Sequence, residues 1–245
     1  SYYNNYSNYY DPDKYIELFG VSIGFGKRLS WPDNNFRFSA SLGYTRYMMK
    51  NWDYFIIQNG NCNNINMTLN LSRSMLDSGM FPRSRSQISS SVTFTPPYSL
   101  WDGVDYEHLA TDPRNANYQN DMSRKYNWIE YHKWKFNSRF FTPLGSAQKC
   151  FVLMTRFDFG LLGHYNIHKK SPFETFYVGG DGMSGYSSTY YSETIGLRGY
   201  DNGALTQGYN YGYAYDRMTL ELRYPLLLQG SINIYGLAFA EAGNA

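Results

Sequence analysis

Cysteine, charge and long apolar runs are all scarce in this chain of 245 residues. Its two cysteines, Cys62 and Cys150, are too few for a disulfide framework. No run of about 18 apolar residues occurs, which excludes a transmembrane helix but not a membrane-spanning sheet. Charged residues make up only 17% of the chain and the formal net charge is +2, so the composition gives no reason to expect a nucleic-acid partner.

The two ends also lack the usual signs of a domain boundary. Residues 1–15 are polar and rich in Tyr and Asn, show no signal-peptide pattern and are predicted to be loop. The last residues stop inside or directly after a strand-like run. We therefore expect the chain to be a fragment of a longer protein.

Aromatic residues are abundant, at 19%, and apolar residues alternate with polar ones along the whole chain. Alternation with period two indicates strands with one apolar and one polar face, whereas helical periodicity is not convincing anywhere. In the clearest case, 64–72, Ile, Met and Leu alternate with Asn, Thr and Ser. The pattern predicts eight strands, over residues 14–29, 35–50, 63–75, 85–96, 126–141, 147–162, 209–224 and 231–241.

These strands and their connections are typical of an outer-membrane barrel. Strands of roughly 12 to 16 residues exceed the about 9 to 11 that a tilted membrane-spanning strand needs, and their second face is polar. Short turns, such as "TPLGSA" and "PLLLQG", alternate with long loops, of which 163–208 is the longest. Outer-membrane barrels have short periplasmic turns and long extracellular loops. We predict an all-β, antiparallel transmembrane β-barrel with 163–208 outside the cell.

The polarity of the predicted barrel places two further groups of residues. Aromatic residues near strand ends are expected in the interfacial girdles, namely Trp31, Trp52, Tyr54, Tyr98, Trp101, Tyr126 and Trp128. Cys62 falls at an extracellular strand end and Cys150 at a periplasmic one, so most of the ~25 Å apolar band separates them. That separation is far beyond disulfide reach, and two free thiols are predicted.

Arg198 is a candidate functional residue within 163–208 because it lies between two glycines, Gly196 and Gly199. Gly196 and Gly199 allow backbone conformations and close approaches that a Cβ would block. A second glycine pair, Gly179 and Gly180, lies upstream in the same loop. A tight turn that presents a guanidinium indicates a carboxylate or phosphate partner bound in fork geometry.

The two strands that follow the loop offer carboxylate partners. In "DRMTLELRYPLL" the alternation places Glu221 on the lumen face. Glu241 lies near the end of the last strand, and its face stays open because the apolar Leu237 and Phe239 share its parity. If the loop folds back into the lumen, both carboxylates can bind Arg198.

The motif "GLRGY" after "VGG", followed by "LELRYPLL" and then "LAFAEAGNA", resembles the barrel of the BamA-type outer-membrane assembly insertases and their relatives, the BamA/TamA superfamily. The resemblance implies that Arg198, with Gly199 and Tyr200, faces Glu221 and Glu241. It further implies that this contact locks the loop inside the barrel. The family more often has Asp at the position of Glu241.

The resemblance also implies a place in a larger protein. The eight strands resemble strands 6–13 of a sixteen-stranded barrel, and residues 1–245 would be part of one C-terminal outer-membrane β-barrel domain. Periplasmic POTRA domains and the first and last barrel strands would lie outside this chain. The stretches 24–36 and 80–101 resemble the Bacteroidota branch, although Arg85 stands where glycine is common in that branch.

The function implied by the resemblance is the insertion and folding of β-barrel proteins in a Gram-negative outer membrane. No enzymatic step, cofactor or metal is expected. The implied partners are the outer-membrane lipid bilayer, unfolded outer-membrane protein clients, and accessory lipoproteins of a BAM complex or surface proteins.

Two other functions stay open. A related barrel of the two-partner-secretion or autotransporter-assembly kind would move a passenger protein, and its periplasmic domains would distinguish it. A passive porin fits less well, because porins constrict with charged ladders, whereas the inward faces here are mostly Asn, Ser and Thr with scattered Arg37, Arg156 and Asp158. His164 and His168 lie at a strand-to-loop junction rather than on a helix and do not indicate a metal site.

Overall fold

A computed structural model describes residues 2–6, 13–52, 55–78, 81–146, 149–180, 192–206, 212–229 and 232–245. Nine strands form one sheet in the order β1-β2-β3-β4-β5-β6-β7-β10-β11, and β8 and β9 form a second. Their bounds are β1 Tyr2–Tyr6, β2 Tyr15–Arg28, β3 Phe36–Lys50, β4 Gly60–Ser74, β5 Arg85–Phe94, β6 His132–Pro143, β7 Val152–Gly163, β8 Thr175–Val178, β9 Ser192–Ile195, β10 Ala214–Gln229 and β11 Ile232–Asn244. A helix, α1, covers Tyr118–Lys125, and 3-10 turns cover Tyr98–Leu100 and Ile167–Lys169.

The pairs in the nine-stranded sheet are antiparallel, and its long strands have one apolar and one polar face. The register places Leu42 opposite both Ile23 and Met67, so large apolar side chains form rows across neighbouring strands. These side chains are open to the surroundings, Ile23 by 73% and Leu42 by 53%. A soluble domain rarely exposes so wide an apolar surface, whereas a membrane barrel turns such a surface to lipid. In the described part of the chain, no helix is long and apolar enough to cross a membrane.

All eight predicted strands are present, but strands β1, β8 and β9 and helix α1 were not predicted. Strands β8 and β9 lie within 163–208, which was predicted as one long loop. Residues 2–6, predicted as loop, form β1, which pairs with β2 and places Tyr6 opposite Tyr15. The Tyr/Asn-rich composition of this segment hides the strand because it has no apolar alternation. Helix α1 also contradicts the expectation of no helix. It spans only about two turns and buries Met122 alone, which is too little to produce a helical pattern in the sequence.

Three strand boundaries were predicted wrongly. The "PLLLQ" residues Pro225 to Gln229 continue β10 instead of forming a turn, with a register shift between Pro225 and Leu227. Such a bulge accommodates a proline that cannot donate to the ladder. The strand predicted from 126 begins at His132, because the segment before it pairs with Asn63 of β4. The strand predicted from 147 begins at Val152, and the start predicted at 209 lies outside the described residues.

The main core lies at the end of the sheet that bears the long connections, called here the loop end. It joins strand residues such as Ile16 of β2 and Tyr215 of β10 to loop residues such as Phe55, Phe173 and Phe176. Strands β2 and β10 are separated by five others in the sheet. They can share one core only because the sheet is strongly curved and the loops fill its concave, polar side.

Two of the aromatic residues predicted to lie in the interfacial girdles belong to this core instead. Trp52 and Tyr126 are buried, with 6% and 7% of their surface exposed, and belong to the core. Trp31, Trp101 and Trp128 are exposed, as interfacial residues should be. Tyr98 is partly buried and packs against the rings of two neighbours, and Tyr54 lies outside the described residues. Aromatic composition near a strand end does not reveal whether the ring points toward lipid or toward a loop.

At the opposite end, called the turn end, the β4–β5 turn reaches across the concave side. Phe81 in this turn is 3% exposed and packs in a small core with Phe141, Val152 and Met154. Its ring centroid lies 5.1 Å from that of Tyr235 on β11. Because β11 is four strands from β5 in the sheet order, this contact also requires strong curvature.

The prediction of two free thiols is confirmed. Cys62 lies near the loop end of β4, Cys150 lies just before the turn end of β7, and both are buried and unpaired with each other. A maleimide reagent is therefore expected to label neither thiol in the folded protein and both after denaturation, which mass spectrometry can count. Rapid labelling of either thiol in the folded state would contradict the burial described here.

Candidate functional site

The candidate site is formed where the connection between β7 and β10 returns to the sheet. We call residues 164–213 the long loop; they are described over 164–180, 192–206 and 212–213. Strands β8 and β9 lie in this loop and pair in parallel, with Val178 opposite Ile195. Phe173, Phe176, Val178 and Ile195 are buried in the loop-end core. This apolar anchoring places the following turn, which contains Arg198, against the polar face of β10 and β11.

The Arg198 side chain bridges two carboxylates on neighbouring strands. Its Nη2 lies 2.9 Å from Oε1 of Glu221 and 2.9 Å from Oε2 of Glu241. Its backbone N–H also donates to Oε1 of Glu241 over 2.8 Å. The carboxylates are 8% and 5% exposed and the guanidinium side chain 29%. Charge-assisted hydrogen bonds of this length, with partly excluded water, hold the turn firmly.

The strand register explains how both carboxylates reach one guanidinium. Thr219 of β10 stands opposite Glu241, and Glu221 stands opposite Phe239, so all four residues share the polar face. The Thr219 hydroxyl donates to Oε2 of Glu241 over 2.8 Å. Glu241 therefore lies on the same face of the sheet as Glu221. The sequence had not decided this, because apolar residues share the parity of Glu241.

An aromatic ring completes the site and explains why one apolar residue, Phe239, lies on the polar face of β11. The Cζ of Arg198 lies 3.7 Å from the ring centroid of Phe239, which is the geometry of a cation–π contact. Guanidinium groups stack on aromatic faces while their N–H groups remain free to donate sideways. Phe239 therefore serves as a platform for Arg198, and its place on the polar face has a direct cause.

Glu221 binds a second arginine, which the sequence analysis did not single out. The Nη2 and Nε atoms of Arg223 lie 2.6 Å and 2.9 Å from Oε2 of Glu221, leaving Oε1 for Arg198. Arg223 in turn lies 5.4 Å from the ring centroid of Phe141, a member of the turn-end core. The two arginines thus share one carboxylate, and removing either leaves Glu221 with a cation partner.

The upstream glycines are required by close backbone contacts within the long loop. Gly179 has a φ of +132°, and a Cβ there would overlap the carbonyl oxygen of Asp201 and lie 2.8 Å from the nitrogen of Ala204. Gly180 has a φ of +93°, and a Cβ there would overlap the Asn202 side chain. These glycines let the segment after β8 pack directly on the segment that follows the Arg198 turn.

The glycines beside Arg198 have different roles. Gly199 has a φ of +93°, and among the described residues nothing lies within 4 Å of a Cβ placed there, so only the conformation requires glycine. The carbonyl of Gly196 accepts a hydrogen bond from Nη1 of Arg217 on β10. Tyr200 contributes its carbonyl, which accepts from the N–H of Gly180 over 3.0 Å, while its side chain is 48% exposed.

The polar face carries more charge than the sequence analysis expected. Arg217 donates to Asp158 of β7 through Nε over 2.9 Å, and Nε of Arg156 lies 2.6 Å from the same carboxylate oxygen. Further cations on this face are Lys133, Lys135, Arg139 and Arg223. The description of the face as mostly Asn, Ser and Thr was therefore wrong for β6 and β10. Counting parity along each strand would have revealed these cations.

An apolar outer face, a charged inner face and a loop fastened to the inner face define this chain as part of the wall of a membrane β-barrel. The chain matches the Omp85 superfamily domain over residues 1–245 and belongs to that superfamily. A comparison with curated proteins found no match.

Among solved structures, the chain is similar to the crystal structure of BamA from Haemophilus ducreyi lacking POTRA domains 1–3. The TM-score is 0.61 at 18% identity, and the match covers 99% of this chain and 44% of that one. At this identity the likeness establishes the fold. The predicted fragment of an antiparallel transmembrane barrel of BamA type is thus confirmed, and the resemblance to the Bacteroidota branch stays a prediction.

Proposed function

We propose that this chain is part of an outer-membrane insertase, which folds and inserts β-barrel proteins in the outer membrane without an enzymatic step, cofactor or metal. The observation that carries the proposal is the long loop fastened to the inner face by Arg198, Glu221 and Glu241. Superfamily membership and the fold of BamA support it. The proposal assigns the loop end to the cell exterior and the turn end to the periplasm.

The physical task of such a protein is to protect strand edges in lipid. An open edge in hydrocarbon leaves unpaired N–H and C=O groups, each costing several kcal/mol. A barrel that opens a seam offers its own edge as a template on which a client strand can pair. Local thinning of the bilayer would lower the barrier further. In this proposal Arg198 touches no client; it keeps the long loop inside the barrel and so maintains the barrel shape.

The proposal also includes the position of this chain within a longer protein and the partners of that protein. The described sheet has nine strands. In the sixteen-stranded barrel that the resemblance implies, they would be strands 5–13, one strand more than the 6–13 expected from the sequence. Residues 1–245 would be part of one C-terminal barrel domain, with POTRA domains and the closing strands elsewhere in the protein. Its partners would be outer-membrane lipids, unfolded clients and accessory lipoproteins or surface proteins, as in a BAM complex of a Gram-negative, Bacteroidota-type cell.

Superfamily membership also suits a barrel that moves passengers or assembles autotransporters. The two functions differ in what fails when the protein is depleted. The proposal predicts that depletion lowers the amount of many folded barrel proteins, which keep an altered gel mobility until heated. Loss of one secreted passenger with unchanged barrel proteins would instead establish the translocation function. Steady, large single-channel conductance of the purified protein would indicate a porin.

A further inference from the structure

A second set of ion pairs joins the long loop to the wall on β6, away from Arg198. Nζ of Lys133 lies 2.9 Å from Glu193 and 3.2 Å from Glu174, and Nζ of Lys135 lies 2.8 Å from Glu193. Nζ of Lys133 also lies 4.7 Å from the ring centroid of Phe176, which is a cation–π distance. The two lysines belong to the wall, and the two glutamates and the phenylalanine belong to the loop.

The side chains of this cluster are partly shielded from water, so their ion pairs can help to hold the long loop on the wall. The Lys133 side chain is 6% exposed, and those of Lys135, Glu174 and Glu193 are between 29% and 35% exposed. Burial alone would raise the pKa of Glu193, but the ammonium groups of Lys133 and Lys135 outweigh it and hold that pKa below its ordinary value. Glu193 is therefore ionised at neutral pH. Ion pairs on an exposed surface contribute little to the free energy of folding, whereas pairs in a network that is shielded from water contribute more.

The charges at the two attachments are opposite in sign. At β10 and β11 the loop supplies the cation, Arg198, and the wall supplies two carboxylates. At β6 the loop supplies two carboxylates and the wall supplies two ammonium groups. A loop shifted toward β6 would bring Arg198 against lysines, which is unfavourable. The arrangement therefore fixes the position of the loop as well as its attachment.

We propose that Lys133, Lys135, Glu174 and Glu193, named here the β6 clasp, bind the long loop independently of Arg198. Both attachments must then open before the loop can leave the inner face. When one opens, the other keeps the loop at a high effective concentration, so rebinding is fast. The inference rests on the proposed position of the loop inside a closed barrel, but not on the role assigned to Arg198.

The test uses the full-length protein in the outer membrane of intact cells. Variants Arg198→Ala, Glu193→Gln and the double variant are treated with proteinase K, and the initial rate of cleavage within the long loop is measured. Proteinase K is suitable because trypsin would lose a site when Arg198 is replaced. Lys135→Met removes the wall side of the same pair, and heat-modified gel mobility confirms that each variant forms a folded barrel.

Each single variant is expected to raise the cleavage rate a few-fold, and the double variant on the order of 100-fold, because two tethers must be lost together. Glu107→Gln, which removes an exposed carboxylate in another loop, should leave the rate unchanged. A double variant cleaved no faster than Arg198→Ala alone overturns the clasp. If Glu193→Gln and Lys135→Met raise the rate while Arg198→Ala does not, the clasp stands and the arginine lock is wrong.

Discussion

Arg198→Ala is expected to weaken the hold of the long loop on the wall and, under the proposed function, to lower the yield of assembled client barrels. The substitution leaves Glu241 buried with only Thr219 and a backbone N–H as donors. Removing one partner of a fully buried pair costs about 3–5 kcal/mol. Because the Arg198 side chain is 29% exposed, we expect about 1–3 kcal/mol here. The free energy of unfolding of the full-length protein in urea, measured in lipid vesicles, checks this value.

Arg198→Lys is the matched control for this prediction. Lysine keeps the charge but lacks the planar fork that bonds two carboxylates while stacking on Phe239. The loss of stability and, under the proposed function, the loss of client assembly should therefore be intermediate. A lysine variant as impaired as the alanine variant would show that geometry outweighs charge. An alanine variant indistinguishable from the unmodified protein in both assays would remove the basis for the proposed lock.

Gly179→Ala is expected to lower the free energy of unfolding as much as Arg198→Ala or more, although it changes no charged group. The new Cβ would meet backbone atoms of Asp201 and Ala204, which cannot rotate away, and the φ of +132° is unfavourable for alanine. Strain of both kinds amounts to roughly 2–4 kcal/mol. The segment after β8 would have to separate from the segment that follows the Arg198 turn. Urea unfolding and proteinase K cleavage of the long loop measure the result.

Gly199→Ala provides the comparison for Gly179, because it separates conformation from contact. Its φ of +93° is equally foreign to alanine, yet none of the described residues lies within 4 Å of the added Cβ. A cost of about 1–2 kcal/mol is expected from the backbone alone. Equal effects of the two substitutions would contradict the backbone contact at Gly179 as the cause.

Alternation and chain order were sufficient to predict much of the wall and part of the site. Period two placed Glu221 on the inner face, and this holds because strand geometry fixes the direction of successive side chains. It could not place Glu241, since Phe239 and Leu237 share its parity. Only the register with β10 and the stacking of Arg198 on Phe239 explain why an apolar ring occupies a polar face.

Contacts between distant segments could not be read from periodicity. Lys133 and Glu174 are 41 positions apart, and nothing in the local pattern of either residue indicates the other. Trp52 is buried because loops fold over the concave side of the sheet, whereas Trp101 remains exposed. Both tryptophans were predicted to be interfacial from their positions near strand ends, so the sequence did not distinguish them. Helix α1 was missed because a helix of two turns with one buried residue leaves no periodic signal.

The central claim, that Arg198 fastens the long loop through Glu241, is tested most directly by a double-mutant cycle with Arg198→Met and Glu241→Gln. The free energies of unfolding of the full-length protein and its three variants give the coupling between the two side chains. The structure predicts a coupling of about 1–3 kcal/mol, and no coupling in a parallel cycle with Glu107→Gln. Effects that add to within about 0.5 kcal/mol in the Arg198–Glu241 cycle would contradict the claim.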